Sequence, residues 1–486
     1  MSKVLSNLKP EPVWKHFESI CKVPHPSKHE GAISDYILEF AKKNNLDALK
    51  DEVGNILIRK PASPGMENRK TVVLQGHLDM VPQKDSITEH DFLKDPISPY
   101  IDGEWVKAKG TTLGSDNGIG VASAMAILED KNIQHGPLEV LFTVDEETGM
   151  TGAFGLKPGF LKGEILLNLD SEDEGEFFIG CAGGVNTSAT LQYKKDVIPE
   201  NMLAYKINIT GLKGGHSGID IILERGNSNK IMNRLLWYCS REYNLRINSV
   251  EGGNLRNAIP RESIAIVTIP VEKEKCFVDY VQNYYQIIKK ELGEKDPDIK
   301  IEVNRTEMPD NIMDFASQTA FLNAVYGCPN GVMGMMTGIT GVVETSSNLA
   351  IVIIKEGIAE ITSLQRSSVD TLKDDVCNMI RSVFELAGAE VEHSGAYPGW
   401  KPNTDSAILK IAKQVYFNKF GTMPEVKVIH AGLECGLIGD IYPDMDMISF
   451  GPTIQHPHSP DEKVNIQSVQ KFWEFLLETL KNIPVK

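Results

Sequence analysis

Short apolar segments alternate with a helical pattern in the first third of the chain, and this alternation restricts the fold more than any other feature. Thr71–Gln75 (TVVLQ), Leu138–Val144 (LEVLFTV) and Ile165–Leu169 (ILLNL) have the length and the apolar run of buried strands. Gly118–Leu128 (GIGVASAMAIL), which precedes the second of them, has the composition of a buried helix. Strands and helices in this order predict an α/β domain with a mixed, mostly parallel sheet and helices on both faces.

The pattern changes in the middle of the chain and then returns. Met202–Thr210 alternates apolar and polar side chains as a half-buried strand does, and Cys276–Leu292 has the periodicity of a long amphipathic helix. A chain of 486 residues is also long enough for at least two hydrophobic cores. We therefore predict an α/β domain made of residues 1–187 and 396–486, interrupted by an inserted α+β domain at 188–395.

The charge and the cysteines narrow the class of protein. The formal net charge is −16 and no long basic run occurs, which excludes a protein that binds a nucleic-acid duplex through phosphate contacts. No stretch approaches the ~18 apolar residues of a membrane span, and the amino-terminal segment is interrupted by polar residues before it reaches signal-peptide length. The seven cysteines are scattered and form no CxxC pair, which favours thiols in a reducing compartment. We expect a cytoplasmic protein without a nucleic-acid or membrane partner.

Acidic and histidine-containing motifs follow the predicted strands. GHLD comes after TVVLQ, GSDNG precedes the buried helix, DEETG follows LEVLFTV, LDSE ends ILLNL, and HPHSP lies near the carboxyl terminus. A single motif of this kind is more often a cap or a solvated loop. Several carboxylates at the ends of adjacent parallel strands would repel one another unless cations lie among them. Imidazole and carboxylate together suit Zn²⁺ or a related divalent ion, so the combination predicts a metal site.

In their order and spacing, GHLDMVP, GSDNG, DEETG, LDSE, GGHSG and HPHSP resemble the motifs of the M20 family of di-metal peptidases. The resemblance is closest to the aminoacyl-histidine dipeptidases, the bacterial cytosolic carnosinase-like enzymes, which cleave β-alanyl-histidine. It extends through intervening segments such as YPGWKPN and HAGLECG and covers essentially the whole chain. The resemblance implies a catalytic domain interrupted by a lid domain, and a hydrolase of Xaa-His and other dipeptides with a free amino terminus.

The resemblance also implies a set of metal ligands. Two Zn²⁺ ions would bind each chain, with Co²⁺ or Mn²⁺ as substitutes. Asp116 would bridge the two ions. His77 and Asp170 would complete the ligands of one ion, and Glu147 and His458 those of the other.

Two further acids have roles that the resemblance implies. Asp79 would fix the tautomer of the His77 imidazole, and Glu146 would be the general base. The peptide bond between Asp116 and Asn117 would be cis. Hydroxide bridging the two metals would then attack the scissile amide, with no covalent enzyme intermediate.

The inserted domain carries the residues that the resemblance assigns to the substrate. His216 in GGHSG would bind the carbonyl oxygen, in this family often from the partner subunit of a homodimer formed through the lid domain. Asn257 in GGNLRN, Arg366 in SLQRSS and Gly432 in HAGLECG would grip the substrate, since a guanidinium matches a terminal carboxylate bidentately. A flexible glycine loop for His216, and ordinary surface contacts for Asn257 and Arg366, are the alternatives.

The same residues bear on other possible functions. GIGVAS approximates a dinucleotide motif, but KGTTLGSDN before it is not an apolar strand, the third glycine is replaced by serine, and no P-loop Gly-Lys-Ser or Gly-Lys-Thr occurs. A binding protein that kept the fold and lost the chemistry should have lost ligands, yet all of them are present. The sequence does not give the dimensions of the substrate pocket. The alternative of an M20-type aminoacylase, desuccinylase or carboxypeptidase acting on N-acyl or longer substrates therefore stays open.

Overall fold

The computed structural model of the chain describes residues 4–486, and the chain divides into two units. The first unit comprises the chain up to Gly180 together with Pro402–Val428 and Leu433–Lys486, and the second comprises Cys181–Lys401 and Ile429–Gly432. The ends of the second unit thus differ from the 188–395 that we predicted for the insertion. Residues 1–3, assigned above to the first domain, lie outside the described residues.

The elements before the second unit are, in chain order, α1 (Glu11–Ile20), α2 (Gly31–Lys43), β1 (Asp47–Lys50), β2 (Ile56–Lys60), β3 (Val72–His77), β4 (Pro99–Asp102), β5 (Trp105–Ala108), α3 (Ser115–Glu129), β6 (Leu138–Thr143), α4 (Glu146–Gly149), α5 (Thr151–Gly155), β7 (Ile165–Asn168) and β8 (Glu176–Cys181). Those that follow are β9 (Gly183–Gln192), β10 (Lys195–Asp196), β11 (Met202–Thr210), β12 (Gly215–His216), α6 (Ser228–Glu242), β13 (Arg246–Gly252), β14 (Ala258–Ile259), β15 (Ser263–Pro270), α7 (Glu274–Leu292), β16 (Lys300–Arg305), β17 (Ile312–Met313), α8 (Phe315–Gly327), β18 (Gly331–Met335), β19 (Val343–Lys355), β20 (Ile358–Ser367), α9 (Asp370–Leu386) and β21 (Glu390–Tyr397). The chain ends with α10 (Ala407–Phe420), β22 (Glu425–Ile429), α11 (Glu434–Ile441), β23 (Asp446–Ser449), β24 (Ile454–Gln455), β25 (Lys463–Asn465) and α12 (Ile466–Lys481).

The main sheet of the first unit has the strand order β1-β2-β6-β3-β7-β23-β8-β22. Its four central strands, β6, β3, β7 and β23, run parallel, whereas β1, β2 and β8 pair antiparallel with their neighbours. The predicted mixed, mostly parallel α/β sheet is therefore confirmed. Strands β3, β6 and β7 are buried along their whole length, which explains their continuous apolar sequences.

Helix α3 lies in the core of the first unit. Ser115 through Leu128 are all buried, and the helix packs against α1 and β3. Its small residues permit this packing, because a Cβ atom on Gly118 would lie 2.9 Å from the ring of Phe17. The carboxyl end of β3 and the amino end of α3 thereby carry two of the predicted motifs into one buried region.

The second unit is an α+β structure around an antiparallel sheet. Its strand order is β16-β11-β15-β13-β19-β20-β9-β21, with β18 paired to β19. Leu235 of α6, Phe277 of α7 and Ile380 of α9 lie in one core with Ile207 and Val267 of the sheet. None of the helices in the described part of the chain is long and apolar enough to cross a membrane.

Candidate metal centre

The five predicted metal ligands lie together in the first unit. His77 ends β3, Asp116 is in the first turn of α3, Glu147 is in α4 after β6, Asp170 follows β7, and His458 lies between β24 and β25. Their ligand atoms form two groups, each with all atoms within 4.8 Å of one another. One group is His77, Asp116 and Asp170; the other is Asp116, Glu147 and His458. Asp116 is common to both.

The carboxylate of Asp116 lies between two imidazoles. Its Oδ1 is 3.2 Å from Nε2 of His77, and its Oδ2 is 3.2 Å from Nε2 of His458. Nε2 of His77 is also 3.3 Å from Oδ1 of Asp170, and Nε2 of His458 is 3.0 Å from Oε2 of Glu147. Each half therefore offers one imidazole, one carboxylate of its own and one oxygen of the shared carboxylate.

The unsatisfied atoms of this cluster fit bound cations. Nδ1 of His77 is 3.0 Å from the backbone oxygen of Asp79, so this nitrogen carries the proton of a neutral ring and Nε2 presents a lone pair to the carboxylates. Oε1 of Glu147 and Oδ1 of Asp170 are buried and accept no hydrogen bond. A divalent cation on each side of Asp116 would satisfy these atoms, and nitrogen with oxygen ligands suits Zn²⁺.

The pKa values of the ligands show the same excess of negative charge. Burial raises the pKa of Asp170 to about 6, and Asp116 and Glu147 add to this effect. Burial lowers the pKa of His77, but Asp170 and Asp116 outweigh it and raise that pKa well above its ordinary value. Hydrogen bonds to Asp116 and Glu147 raise the pKa of His458 to about 11. The cluster therefore favours positive charge at its centre.

Asp79 supports the cluster from behind. It is 1% exposed, and its Oδ1 and Oδ2 accept the backbone N–H groups of Glu146 (3.0 Å) and Glu147 (3.2 Å). The Nδ1 of His77 is nearer to the carbonyl oxygen of Asp79 (3.0 Å) than to its Oδ1 (3.4 Å). Burial opposes ionisation, but His77 and the Glu146 amide lower the pKa of Asp79 to about 2. The Asp79 carboxylate thus fixes the backbone of both glutamates, while its carbonyl orients the imidazole.

Glu146 is close to the ligands without belonging to either group that contains Asp116. Its carboxylate lies within 4.8 Å of ligand atoms of His77 and Glu147. Burial raises its pKa well above the ordinary value, and the nearby acids Asp170 and Glu434 add to this effect. Its assignment as the base stays a prediction.

Close packing holds the backbone beneath Asp116. The peptide bond between Asp116 and Asn117 is cis, as the resemblance implies. The side chain of Asn117 donates to the carbonyl oxygen of Leu169 at 2.7 Å. A Cβ atom on Gly76 would lie 2.2 Å from Oδ1 of Asn117, and one on Gly120 would lie 2.6 Å from it. Glycine is therefore required at both positions, where strand and helix approach this side chain.

His216 lies in the second unit with a defined tautomer. Its Nδ1 accepts the backbone N–H groups of Gly218 (3.2 Å) and Ile219 (3.1 Å), so the proton of the neutral ring is on Nε2. Burial lowers the pKa of His216, and the positive charge of Arg366 lowers it further. The ring is therefore a neutral donor through Nε2.

Arg366 is a buried cation in the same unit. It is 5% exposed; one guanidinium nitrogen donates to the hydroxyl of Tyr397 at 2.8 Å, and its Nε has no acceptor. Within residues 4–486 no carboxylate forms an ion pair with it. Burial, Arg366 and His216 lower the pKa of His430 to about 3, so that ring is neutral as well. A buried unpaired guanidinium is costly, and this one is suited to an anionic ligand.

The other two substrate candidates also lie in the second unit. The carbonyl oxygen of Asn257 accepts the N–H of Ser217 at 2.8 Å, next to His216. Gly432 belongs to the short segment Ile429–Gly432 that joins this unit. The structure thus places the predicted ligands, Asp79 and Glu146 in the first unit and all four substrate candidates in the second.

Two further buried acids of the first unit, Glu434 and Glu462, have no role among those predicted from the sequence. Glu434 is 2% exposed; its Oε2 accepts hydrogen bonds from Gln75 (2.6 Å) and Thr143 (2.7 Å), and burial raises its pKa to about 7. Glu462, also 2% exposed, accepts backbone N–H groups at the start of α3. The available signals were the HAGLECG segment for Glu434 and the position of Glu462 four residues after His458.

Comparison with known proteins assigns the family. The family model of peptidase family M20/M25/M40 matches residues 73–482. The chain belongs to this peptidase family. Among curated relatives, the M20 chain is 48% identical over 482 residues to the cytosol non-specific dipeptidase of Escherichia coli (strain K12), covering 99% of each chain.

Solved structures agree with the M20 assignment. The crystal structure of aminoacylhistidine dipeptidase from Vibrio alginolyticus matches with a TM-score of 0.96 and 51% identity, covering 99% of this chain and 98% of that one. Aminopeptidase PepT from Bacillus cereus matches with a TM-score of 0.57 and 16% identity, covering 98% of this chain and 99% of that one. The second match shows a shared fold alone. The predicted family is therefore confirmed.

Proposed function

We propose that this M20 peptidase is a cytoplasmic dipeptidase that uses two Zn²⁺ ions to hydrolyse Xaa-His and other dipeptides with a free amino terminus. The observation that carries the proposal is Asp116, whose two oxygens each lie 3.2 Å from a different imidazole nitrogen. Two relatives of nearly equal length support the substrate class, since one is named a cytosol non-specific dipeptidase and the other an aminoacylhistidine dipeptidase.

The proposed ligands divide between the two ions. His77 and Asp170 would hold one ion, and Glu147 and His458 would hold the other. Asp116 would contribute to both sites. When bound, the ions lower the pKa of water and polarise the substrate carbonyl.

Glu146 would move the proton. It accepts a proton from the attacking water and returns it to the leaving nitrogen of the dipeptide. Its backbone is held by Asp79, and it is absent from both ligand groups that contain Asp116. Its absence from both of these groups favours a base over a ligand.

The second unit would hold the substrate. His216 donates its Nε2–H to the carbonyl oxygen, where negative charge develops. Arg366, with its Nε unpaired and buried, binds the terminal carboxylate of the dipeptide, and Asn257 and Gly432 contact the same end of the substrate. A dipeptide thus supplies the anion that this guanidinium lacks.

A homodimer through the lid domain would complete the proposal. Ile219 and Leu255 are 58% and 59% exposed beside His216 and Asn257. We propose that His216 serves the metal centre of the partner chain, which is the arrangement that the family resemblance often implies, and its action within its own chain is the alternative.

A substrate panel tests the activity. The Zn²⁺-loaded protein and its metal-free form would be compared on carnosine, several Xaa-His dipeptides, an unrelated dipeptide, the N-acetyl and carboxamide forms of one Xaa-His dipeptide, an N-acetyl amino acid and a tripeptide. We expect cleavage of the free dipeptides by the loaded form alone, with weak cleavage of the carboxamide because Arg366 loses its anion. Cleavage of only the N-acetyl amino acid would instead indicate an aminoacylase, and preferential cleavage of the tripeptide would contradict a dipeptidase.

A further inference from the structure

A buried carboxylate holds the loop that carries Asp116. Oε2 of Glu462 accepts the backbone N–H groups of Leu113 (2.7 Å) and Gly114 (3.0 Å). Its Oε1 accepts the N–H and the hydroxyl of Ser115 (2.7 and 2.6 Å) and the N–H of Asp116 (3.3 Å). Four consecutive amides and one hydroxyl thus converge on one side chain.

These amides lie where α3 begins. The first N–H groups of a helix have no acceptor within the helix, and a carboxylate placed there satisfies them. Asp116 and Asn117 have non-helical backbone angles (φ −85°, ψ 107° and φ −103°, ψ 27°), so regular helical bonding does not fix this turn. Glu462 supplies the acceptors that it needs.

Glu462 also belongs to the turn that carries His458. The N–H of Glu462 donates to the carbonyl oxygen of Ser459 at 3.0 Å, and the hydroxyl of Ser459 donates to the carbonyl oxygen of His456 at 3.0 Å. His456 and His458 have φ angles of 55° and 59°, a region that residues other than glycine rarely adopt. A turn of this kind persists when its surroundings hold it in place.

We propose that Glu462 is a positioning residue of the metal centre, which fixes Asp116 at the distance from His458 at which one carboxylate serves two cations. This inference rests on the two-metal centre of the proposed function. In the described part of the chain no Lys, Arg or His forms an ion pair with Glu462, so its charge also adds to the negative potential that attracts divalent ions.

Glu139 provides a matched control in the same unit. It is also 2% exposed, and its Oε2 accepts the backbone N–H groups of Lys162 (2.7 Å) and Gly163 (2.9 Å) while its Oε1 pairs with Arg59 (2.9 Å). Glu139 lies near the start of β6, whereas the metal-ligand motif follows the end of that strand. Glutamine at either position turns an amide donor toward backbone N–H groups, so both changes disturb a buried carboxylate of the same kind.

The test is a metal titration of the full-length protein. The wild type, Glu462→Gln and Glu139→Gln would be titrated with Zn²⁺ against a chromogenic chelator, and the visible absorption of their Co²⁺ forms recorded. We expect both variants to melt at lower temperature, but only Glu462→Gln to bind Zn²⁺ about 10- to 100-fold more weakly and to change the Co²⁺ bands. Equal metal affinity and an unchanged Co²⁺ spectrum in Glu462→Gln would overturn the proposal.

Ser115→Ala keeps the inference testable if Glu462→Gln does not fold. This variant removes a single donor to Glu462 and should weaken Zn²⁺ binding to a smaller degree; unchanged affinity would then overturn the proposal. Neither titration uses a peptide, so both results are independent of whether the proposed substrate class is correct. If the wild type and Glu139→Gln bind no metal, the proposed metal centre is contradicted, and so is the proposed role of Glu462.

Discussion

Glu146 and Glu147 are neighbours in the sequence, but the structure gives them different contacts. Oε2 of Glu147 lies 3.0 Å from the imidazole of His458 and belongs to the group around Asp116. Glu146 lies outside that group, although Asp79 holds the backbone amides of both glutamates. Replacing each glutamate by glutamine can therefore distinguish their roles, because one change should remove turnover and the other should remove bound metal.

Glu146→Gln should retain both metal ions and lose turnover by roughly 100- to 10,000-fold, because the variant cannot accept the proton of water. Glu147→Gln, the matched control, should lose metal because it removes an anionic ligand. Metal content by mass spectrometry and kcat on one dipeptide check both variants. Loss of metal in Glu146→Gln, or activity within a few-fold of wild type, would contradict the assignment.

His216→Ala should lower kcat by roughly 100- to 1,000-fold while changing KM much less. The reason is that a donor to the carbonyl oxygen stabilises charge that develops in the transition state. Steady-state kinetics on an Xaa-His dipeptide measures both constants. An effect confined to KM would show that His216 binds the substrate and does not assist the reaction.

The candidate metal ligands and Asp79 stand in motifs of the sequence, whereas no motif marks the contacts of Glu462 and Glu434. His77, Asp116 and His458 stand in short motifs whose order is preserved along the chain. Glu462 acts through backbone amides that lie 346 to 349 residues away in the sequence, and backbone contacts leave no pattern of residue types. Glu434 is similar, since its partners Gln75 and Thr143 lie on separate strands.

At the scale of elements, segments with a periodic or continuously apolar pattern were predicted, and short strands without such a pattern were not. The strand predicted at Met202–Thr210 has these bounds in the structure, and the helix predicted over Cys276–Leu292 begins two residues earlier, at Glu274. The small sheet in the order β24-β25-β5-β4 was not predicted. Its strands have two to four residues and come from distant parts of the chain, so no periodicity marks them.

The packing of α3 near β3 gives a prediction at this scale. Gly120→Ala should lower the free energy of unfolding by about 1 to 3 kcal/mol, because its Cβ would lie 2.6 Å from Oδ1 of Asn117 and 2.7 Å from the carbonyl oxygen of Leu169. Gly31→Ala in α2, where nothing lies within 4 Å, is the control and should not destabilise. Denaturant unfolding of the metal-free proteins measures the difference. Equal stability of the two variants would show that α3 has room to move.

At the scale of the whole molecule, the second unit is made of two separate segments of the sequence. Ile429–Gly432 belongs to the second unit, although the prediction placed it in the α/β domain. His430 bonds to Ser346 at 2.7 Å, a contact that becomes visible only when both segments are folded. The sequences of the flanking strand β22 and helix α11 are typical of an α/β domain, so they do not indicate that the segment between them belongs to the other unit.

The proposed action of His216 across a dimer is testable by complementation. When Glu146→Gln and His216→Ala chains are co-expressed and mix at random, roughly a quarter of the sites would combine an intact Glu146 with an intact His216 from the partner chain. We expect activity near that fraction of wild type from the co-expressed mixture and almost none from either variant alone. If the mixture is as inactive as its components, His216 acts within its own chain or the protein is not a dimer.

Crystallography of the Zn²⁺-loaded protein, with anomalous data at the zinc edge, tests whether two metal ions share Asp116. We predict two anomalous peaks per chain, one bound by His77 and Asp170, the other by Glu147 and His458, and each in contact with one oxygen of Asp116. A single peak, or two peaks with Asp116 bound to only one of them, would contradict the two-metal centre.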